Sequence, residues 1–291
     1  MTIRRKRKKF GWVLLIFAVL VGAVAALLIL RPDIRTKGLI LWDQTFSNQP
    51  LKERYFPSLC KTTLEEVKQG NTGISYNRFL MLVNSAYPMD DSTTPALTEY
   101  KDTGLQMDEA VAKAFGELSK TVGDQFQERL LINSSYRTAD QQANEYRDNP
   151  EEAAKPGESE HETGLALDVC VRQFAGAGFL KSPVGEFVNR HGWEYGFITR
   201  YPMFKKGSTG IGFEPWHIRY VGKPHSQIIY QNGWCLEEYL DALVPDKYYE
   251  CAGYIITRQK ADQPIWYPEG LTEMSLSPDH TGYVVLTGKK G

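Results

Sequence analysis

No Cys-x-x-Cys pair occurs in this chain of 291 residues, and its four cysteines (Cys60, Cys170, Cys235, Cys251) are widely scattered. A zinc site built from paired cysteines is therefore excluded. Histidine is scarce, five in all, and the H-E-x-x-H zinc helix is missing: Leu165 stands where His161-Glu162 would need a second histidine. There is no internal repeat and no low-complexity tract. Acidic residues are absent before Asp33. Six of the 34 basic residues fall in residues 1–9, which leaves 28 against 35 acidic ones, a net of −7. A surface of that sign excludes nucleic acid as a partner, because phosphate binding needs basic groups.

Charge of either sign is missing from Phe10 to Leu30, a run of 21 residues rich in Leu, Val, Ala and Ile. As a helix it rises about 31 Å, enough to cross a bilayer core. The basic cluster before it belongs in the cytoplasm, which places residues 31–291 outside the cell membrane. A cleaved signal peptide has a shorter apolar region, about 7–15 residues, so an uncleaved signal anchor is expected. On that oxidising side four cysteines allow three full pairings. Cys235 and Cys251, nearest in sequence, are the preferred pair, and Cys170 also reads as a small buried side chain.

Beyond the basic tail (1–9) and the anchor (10–30), residues 31–76 form an anchor-proximal segment of little pattern. A main domain spans 77–243 and a β-rich extension 244–291. Phe79 to Asn84 reads as an entering strand, followed by a loop with Pro88, Asp90, Asp91 and Pro95. Val111, Phe115, Leu118 and Val122 mark one face of a helix over 108–122. Leu130-Leu131-Ile132 is a short buried strand. Thr138 and Gln141 have capping-box spacing for a helix near 139–147. A polar loop (148–158) leads to a central strand, Leu165 to Val171. Ser182-Pro183 opens a helix that ends near His191-Gly192. Phe213 to Val221 is a strand, 236–243 a short helix, and Tyr254 to Ile256 with Tyr283 to Leu286 a hairpin or small sheet. The order predicts an α+β domain: a small, mixed, mainly antiparallel sheet with flanking helices and a zinc site, preceded by one transmembrane helix.

The chemistry concentrates in Ser159-Glu160-His161-Glu162-Thr163-Gly164-Leu165-Ala166-Leu167-Asp168 and in Glu214-Pro215-Trp216-His217. Two imidazoles and a carboxylate (His161, His217, Asp168) offer three ligands and leave one position open, the pattern of a catalytic zinc ion. Glu214 could take the proton from a metal-bound water. Glu214 and His217 are three apart, so a regular strand would part them and Pro215 must break the pleat. The alternative partner for Glu214 is Arg219. Arg137 sits just before a helix N-terminus, suited to a substrate carboxylate, although position alone favours an ordinary surface ion pair. His191, His225 and His280 read as structural. Ser58-Leu59-Cys60-Lys61 with Ser75-Tyr76-Asn77 imitates the elements of penicillin-binding serine enzymes, but Leu286 stands where the third needs lysine.

The pattern S-x-H-x-x-G-x-A-x-D at Ser159 to Asp168, joined to E-x-x-H at Glu214 to His217, resembles the zinc D-alanyl-D-alanine carboxypeptidases of the vancomycin-resistance type, relatives of the lysostaphin-like peptidases and the hedgehog domain. Similarity runs over about 77–243 and takes in Leu82 to Asn84, Ser134 to Arg137, Tyr195 to Phe197, Arg200 to Pro202 and Leu236 to Leu240. The resemblance implies one Zn2+ on His161, Asp168 and His217, Glu214 as base, Arg137 on the substrate's terminal carboxylate, and Ser159 and Gln142 in contact with substrate. Ser135 departs from the glycine usual before the Tyr-Arg pair.

The expected activity is removal of the terminal D-alanine from a peptidoglycan stem peptide outside the membrane. An L,D-carboxypeptidase on tetrapeptide stems is the rival within the enzyme class. A non-catalytic wall-binding module with a retained metal, and a serine D,D-peptidase using Ser58, are the rivals outside it.

Overall fold

The computed structural model describes residues 3–89, 95–150 and 153–291, with side chains in the N-terminal helix given at Trp12 and from Ile16 onward. The side chains of the basic tail, Asp90 and Asp91 of the first loop, and residues 151–152 of the second lie outside the described residues. In chain order the elements are α1 (Ile3–Leu30), α2 (Pro32–Phe46), β1 (Lys52–Arg54), β2 (Leu59–Thr62), α3 (Leu64–Lys68), β3 (Ser75–Tyr76), β4 (Leu97–Glu99), β5 (Gln106–Asp108), α4 (Glu109–Phe126), β6 (Leu131–Ser134), α5 (Ala139–Asp148) and β7 (Ala166–Cys170). They continue with α6 (Pro183–His191), β8 (Phe197–Thr199), α7 (Lys206–Thr209), β9 (His217–Tyr220), α8 (His225–Asn232), α9 (Leu236–Ala242), β10 (Tyr248–Cys251), β11 (Tyr254–Lys260), β12 (Ile265–Pro268), β13 (Leu271–Pro278) and β14 (Tyr283–Lys290).

The functional half is a four-stranded antiparallel sheet in the order β6-β7-β9-β8. Helix α4 starts where the Asp108 carboxylate accepts from Ala110 N, and it buries Val111, Ala114, Phe115, Leu118 and Val122. That stripe packs with Leu167, Val169 and Ile218 of the sheet and with Val184 and Val188 of α6. Burying such side chains contributes about 1.5–3 kcal/mol each, which makes this core the platform of the site. The sheet puts β7 at its centre, as the apolar run predicts. β6, expected as a buried strand, is the sheet edge and leaves Leu131 exposed.

The remaining strands form a six-stranded sheet, β1-β10-β11-β14-β13-β3, with a parallel β13–β3 pair, and two small antiparallel pairs, β2–β12 and β4–β5. Residues 31–76 are thus not patternless: they supply β1, β2 and β3 to the sheets of the C-terminal extension. Pairing across some 200 residues leaves no local signature in such short strands. A second core, with Leu80, Leu82, Ile228, Tyr239, Leu240, Ile256 and Val285, joins the two halves.

Further expectations change. Residues 79–84 are irregular apart from an isolated bridge of Asn84 to Tyr87, because their polar groups are spent on other elements. Leu80 N donates to Ser277 Oγ and Leu82 N to Asp279 O. The strand expected from Phe213 begins only at His217. All four cysteines carry free thiols, so Cys235 and Cys251 are not paired: Cys235 caps α9, while Cys251 donates to Gln49 O. Among the described residues no single helix is long and apolar enough to cross a membrane. Ile16–Leu30 together with α2 qualifies by length and composition, but the two are bent by 103°. Pro32 opens α2 at the bend, where it cannot continue the hydrogen bonding of α1.

Candidate metal centre and active site

Strand register brings the ligands together. Asp168 of β7 lies directly opposite His217 of β9, and on its other side opposite Ser134 of β6, three residues before Arg137. His161 arrives on a short 3-10 helix, Glu160–Thr163, which Gly164 ends in the left-handed region at φ 73° before β7 begins. The positive φ is what favours glycine, and a Cβ there would also stand 3.3 Å from the backbone at Asp108 N and 2.8 Å from the movable Leu97 Cδ2.

One donor atom from each of His161, Asp168 and His217 lies within 4.8 Å of the other two. His161 donates from Nδ1 to the Ser135 carbonyl at 2.8 Å, which leaves Nε2 as its free ligand atom, 3.2 Å from Asp168 Oδ2. A backbone carbonyl does this work, so the serine at 135 in place of glycine leaves the contact intact. His217 Nδ1 is 2.9 Å from Asp168 Oδ1, yet Oδ1 is buried without a hydrogen bond. Close approach without alignment is what two ligand atoms aimed at one cation show. Two nitrogens and a carboxylate oxygen suit zinc.

Burial alone would raise the Asp168 carboxyl, but His161 and His217 overcome it and hold the group ionised, far below the usual range. Burial lowers His161 and keeps it neutral, ready to ligate. At His217 burial also lowers, but Asp168 and Glu160 outweigh it and bring the imidazole to about 9.

Glu214, Pro215 and Trp216 precede β9 in a turn closed by His217 N donating to Glu214 O. Asn189 Nδ2 holds the Pro215 carbonyl at 2.9 Å, and Glu214 N donates to Tyr201 O. The turn sets Glu214 Oε2 3.9 Å from His217 Nδ1, on the same side as the cluster. Glu214 is not paired with Arg219, which goes to Glu160 instead.

Arg137 precedes α5, whose capping box of Thr138 and Gln141 forms as expected. Its Nε and Nη2 donate to Ser134 Oγ at 3.0 and 2.8 Å, and Nη1 to Gln142 Oε1 at 3.0 Å. These bonds use three of five guanidinium N–H groups and leave one on each Nη, the pair a carboxylate can take. Gln142 is buried and its amide donates to Ala154 O, so its visible role is to hold Arg137. Arg137, Gln142, Ser159, Asp168, Glu214 and Trp216 line one open cleft with His161 and His217.

Glu160 carries no role in the sequence motif, yet the structure gives it one. It is wholly buried, with Oε1 2.6 Å from both Arg200 Nε and Arg219 Nη1. Burial would raise it, and the two guanidinium groups hold it well below the carboxylate range. Its neighbour His161 is the only local signal, since Arg219 comes from β9 and Arg200 from just beyond β8. Tyr201, packed against His217 at 4.9 Å between ring centroids, was seen only as part of the resemblance. His191, His225 and His280 sit elsewhere, with Glu194, Tyr239 and the Pro88 carbonyl. Lys61 of the serine-enzyme imitation places its ammonium over the Trp266 ring.

A family model described as VanY, D-alanyl-D-alanine carboxypeptidase, matches residues 104–223. A D-alanyl-D-alanine carboxypeptidase of Enterococcus faecium is 37% identical over 202 residues, covering 64% of this chain and 62% of the relative, which is less than two thirds of its length. The bifunctional D-Ala-D-Ala dipeptidase and carboxypeptidase VanXYC of Enterococcus gallinarum is 35% identical, over 56% of this chain and 94% of that protein. The crystal structure of the D,D-dipeptidase VanXYg, in complex with a D-Ala-D-Ala phosphinate analogue, superposes with a TM-score of 0.63 at 27% identity, over 80% of this chain and 99% of that one. Motif, site geometry and relatives agree: the chain belongs to the VanY family of D-alanyl-D-alanine carboxypeptidases.

Proposed function

We propose that this protein is a zinc-dependent D,D-carboxypeptidase that removes the terminal D-alanine from peptidoglycan stem peptides. The observation that carries the reading is the convergence of His161, Asp168, His217, Glu214 and Arg137 on one cleft. Zinc held by the first three would supply a Lewis acid and a water acidic enough to attack near neutral pH. Arg137 takes the free carboxylate of the peptide, which restricts cleavage to the last residue. The Glu214 carboxylate accepts a proton from the attacking water and returns it to the departing amine. Ser159 lines the same cleft and contacts the peptide; Gln142 acts through Arg137.

The chain is also proposed to be anchored in the cell membrane by α1, with its N-terminus cytoplasmic and the cleft outside. The uncharged run from Phe10 to Leu30, preceded by six basic residues, supports this. The test is incubation of the full chain with penta- and tetrapeptide stems, with and without chelator. Release of D-alanine from the pentapeptide, abolished by chelator and restored by zinc, is expected. Release that survives chelation, together with covalent labelling by penicillin, would refute the metal mechanism; release from the tetrapeptide alone would reassign the substrate.

A further inference from the structure

The proposed metal site leaves one ring nitrogen unexplained. With His217 Nδ1 turned to Asp168, its Nε2 faces Glu160 Oε2 at 3.8 Å. Both atoms are buried, and among the described residues neither has a hydrogen bond. His161 meets the same need by donating to the Ser135 carbonyl. A ligating histidine is held in one tautomer and one orientation by whatever its other N–H donates to. For His217 the group standing there is Glu160, a small ring rotation beyond hydrogen-bond range.

Glu160 cannot swing away. Its Oε1 is fixed by Arg200 and Arg219, and Arg200 is itself fixed by Glu237 of α9 at 2.8 and 2.7 Å. Arg219 reaches past the carboxylate: its Nη2 donates to the carbonyls of Phe79 and Met81 at 3.2 and 2.7 Å. Those carbonyls belong to the irregular segment that the C-terminal sheet holds at Leu80 N to Ser277 Oγ (3.0 Å) and Leu82 N to Asp279 O (3.0 Å). Asp279 is in turn clamped by Arg258 at 2.7 Å. A continuous path thus runs from β13 through residues 79–82, Arg219 and Glu160 to His217.

We propose that Glu160 is a positioning residue for the metal ligand His217, and that the C-terminal sheet braces the metal site through it. This rests on the zinc reading above. It assigns the extension a mechanical role in metal retention, separate from any binding surface it presents.

The test uses the full chain in detergent, with zinc affinity measured by competition against a chromophoric chelator. Glu160→Gln is expected to bind zinc about 10- to 100-fold more weakly. Ser277→Ala, remote from the cleft, is expected to weaken it less but in the same direction. Because Glu160→Gln strands two buried arginines and could unfold, the second measurement is made on the wild type: long-range proton–nitrogen spectra of the zinc-loaded protein should show His217 protonated at Nε2 and bound through Nδ1. A folded Glu160→Gln with undiminished affinity, or a His217 proton on Nδ1, overturns the positioning role. Unchanged affinity in Ser277→Ala overturns the brace. A wild type that takes up no zinc removes the metal reading itself, and this arm is scored before any variant.

Discussion

Arg137 Nη2 stands 3.6 Å from Asp168 Oδ2, so the guanidinium that faces the cleft rests beside a carboxylate of the His–Asp–His cluster. Under the proposed function, the peptide's terminal carboxylate and its last carbonyl would be recognised within one residue's length of each other. Arg137→Ala should cost about 2–4 kcal/mol, the range for stranding a desolvated charge. That is roughly 30- to 1,000-fold in kcat/KM, mostly through KM. A substrate with an amidated terminus should lower wild-type turnover by a similar factor and leave the variant almost unchanged. A variant that still discriminates the two substrates would remove Arg137 from recognition.

Glu214→Ala should retain zinc, because the residue lies outside the ligand set, while kcat falls about 100- to 10,000-fold, the usual worth of a general base. Metal content and steady-state rates on the same preparation decide this. Loss of zinc along with activity would instead make Glu214 a ligand.

Gly164→Ala should destabilise the fold by about 1–3 kcal/mol, from a strained backbone and an overpacked contact at Leu97. Because the turn spaces His161 from Asp168, zinc affinity should fall together with the melting temperature. An alanine variant with wild-type melting and affinity would show that the turn tolerates a side chain.

His225 gives a pH dependence that is independent of the metal. It lies in the joint between the halves, with Nδ1 2.6 Å from Tyr239 Oη and Nε2 3.3 Å from Thr287 Oγ1, and burial lowers it to about 3. The unfolded chain binds this proton near pH 6.5 and the folded chain does not, so its contribution is present above 6.5 and is lost as pH falls toward 3. Between pH 7.5 and 5 the loss is about 2 kcal/mol from this group alone. Denaturant melts of His225→Gln across that interval should show a shallower pH slope than the wild type; an identical slope would place the titration elsewhere.

The ligand set was legible because each ligand sits in a short local pattern: a glycine turn before Asp168, a proline turn before His217. The helices α4, α5 and α6 were legible for the same reason, through the Val111 stripe and the caps at Thr138 and Ser182. What escaped depends on distant pairing. Phe79 to Asn84 has a strand's composition, but Ser277, Asp279 and Arg219 claim its polar groups. Cys235 and Cys251 are close in sequence, yet one caps a helix and the other ends a strand. Glu160 gains its importance only when Arg200 arrives from beyond β8 and Arg219 from β9.

Helix α2 is fastened to the catalytic half along its length, Arg35 and Thr36 to Glu186, and Asp43 to Arg190 and Tyr230. It meets α1 at 103°. If α1 is seated in a bilayer as proposed, the cleft would have no free swivel at its foot, and its height and heading would be set together. Substrate would then be reached by drifting along the membrane plane, and lengthening the junction at Arg31–Pro32 would trade that fixed aim for a wider sweep.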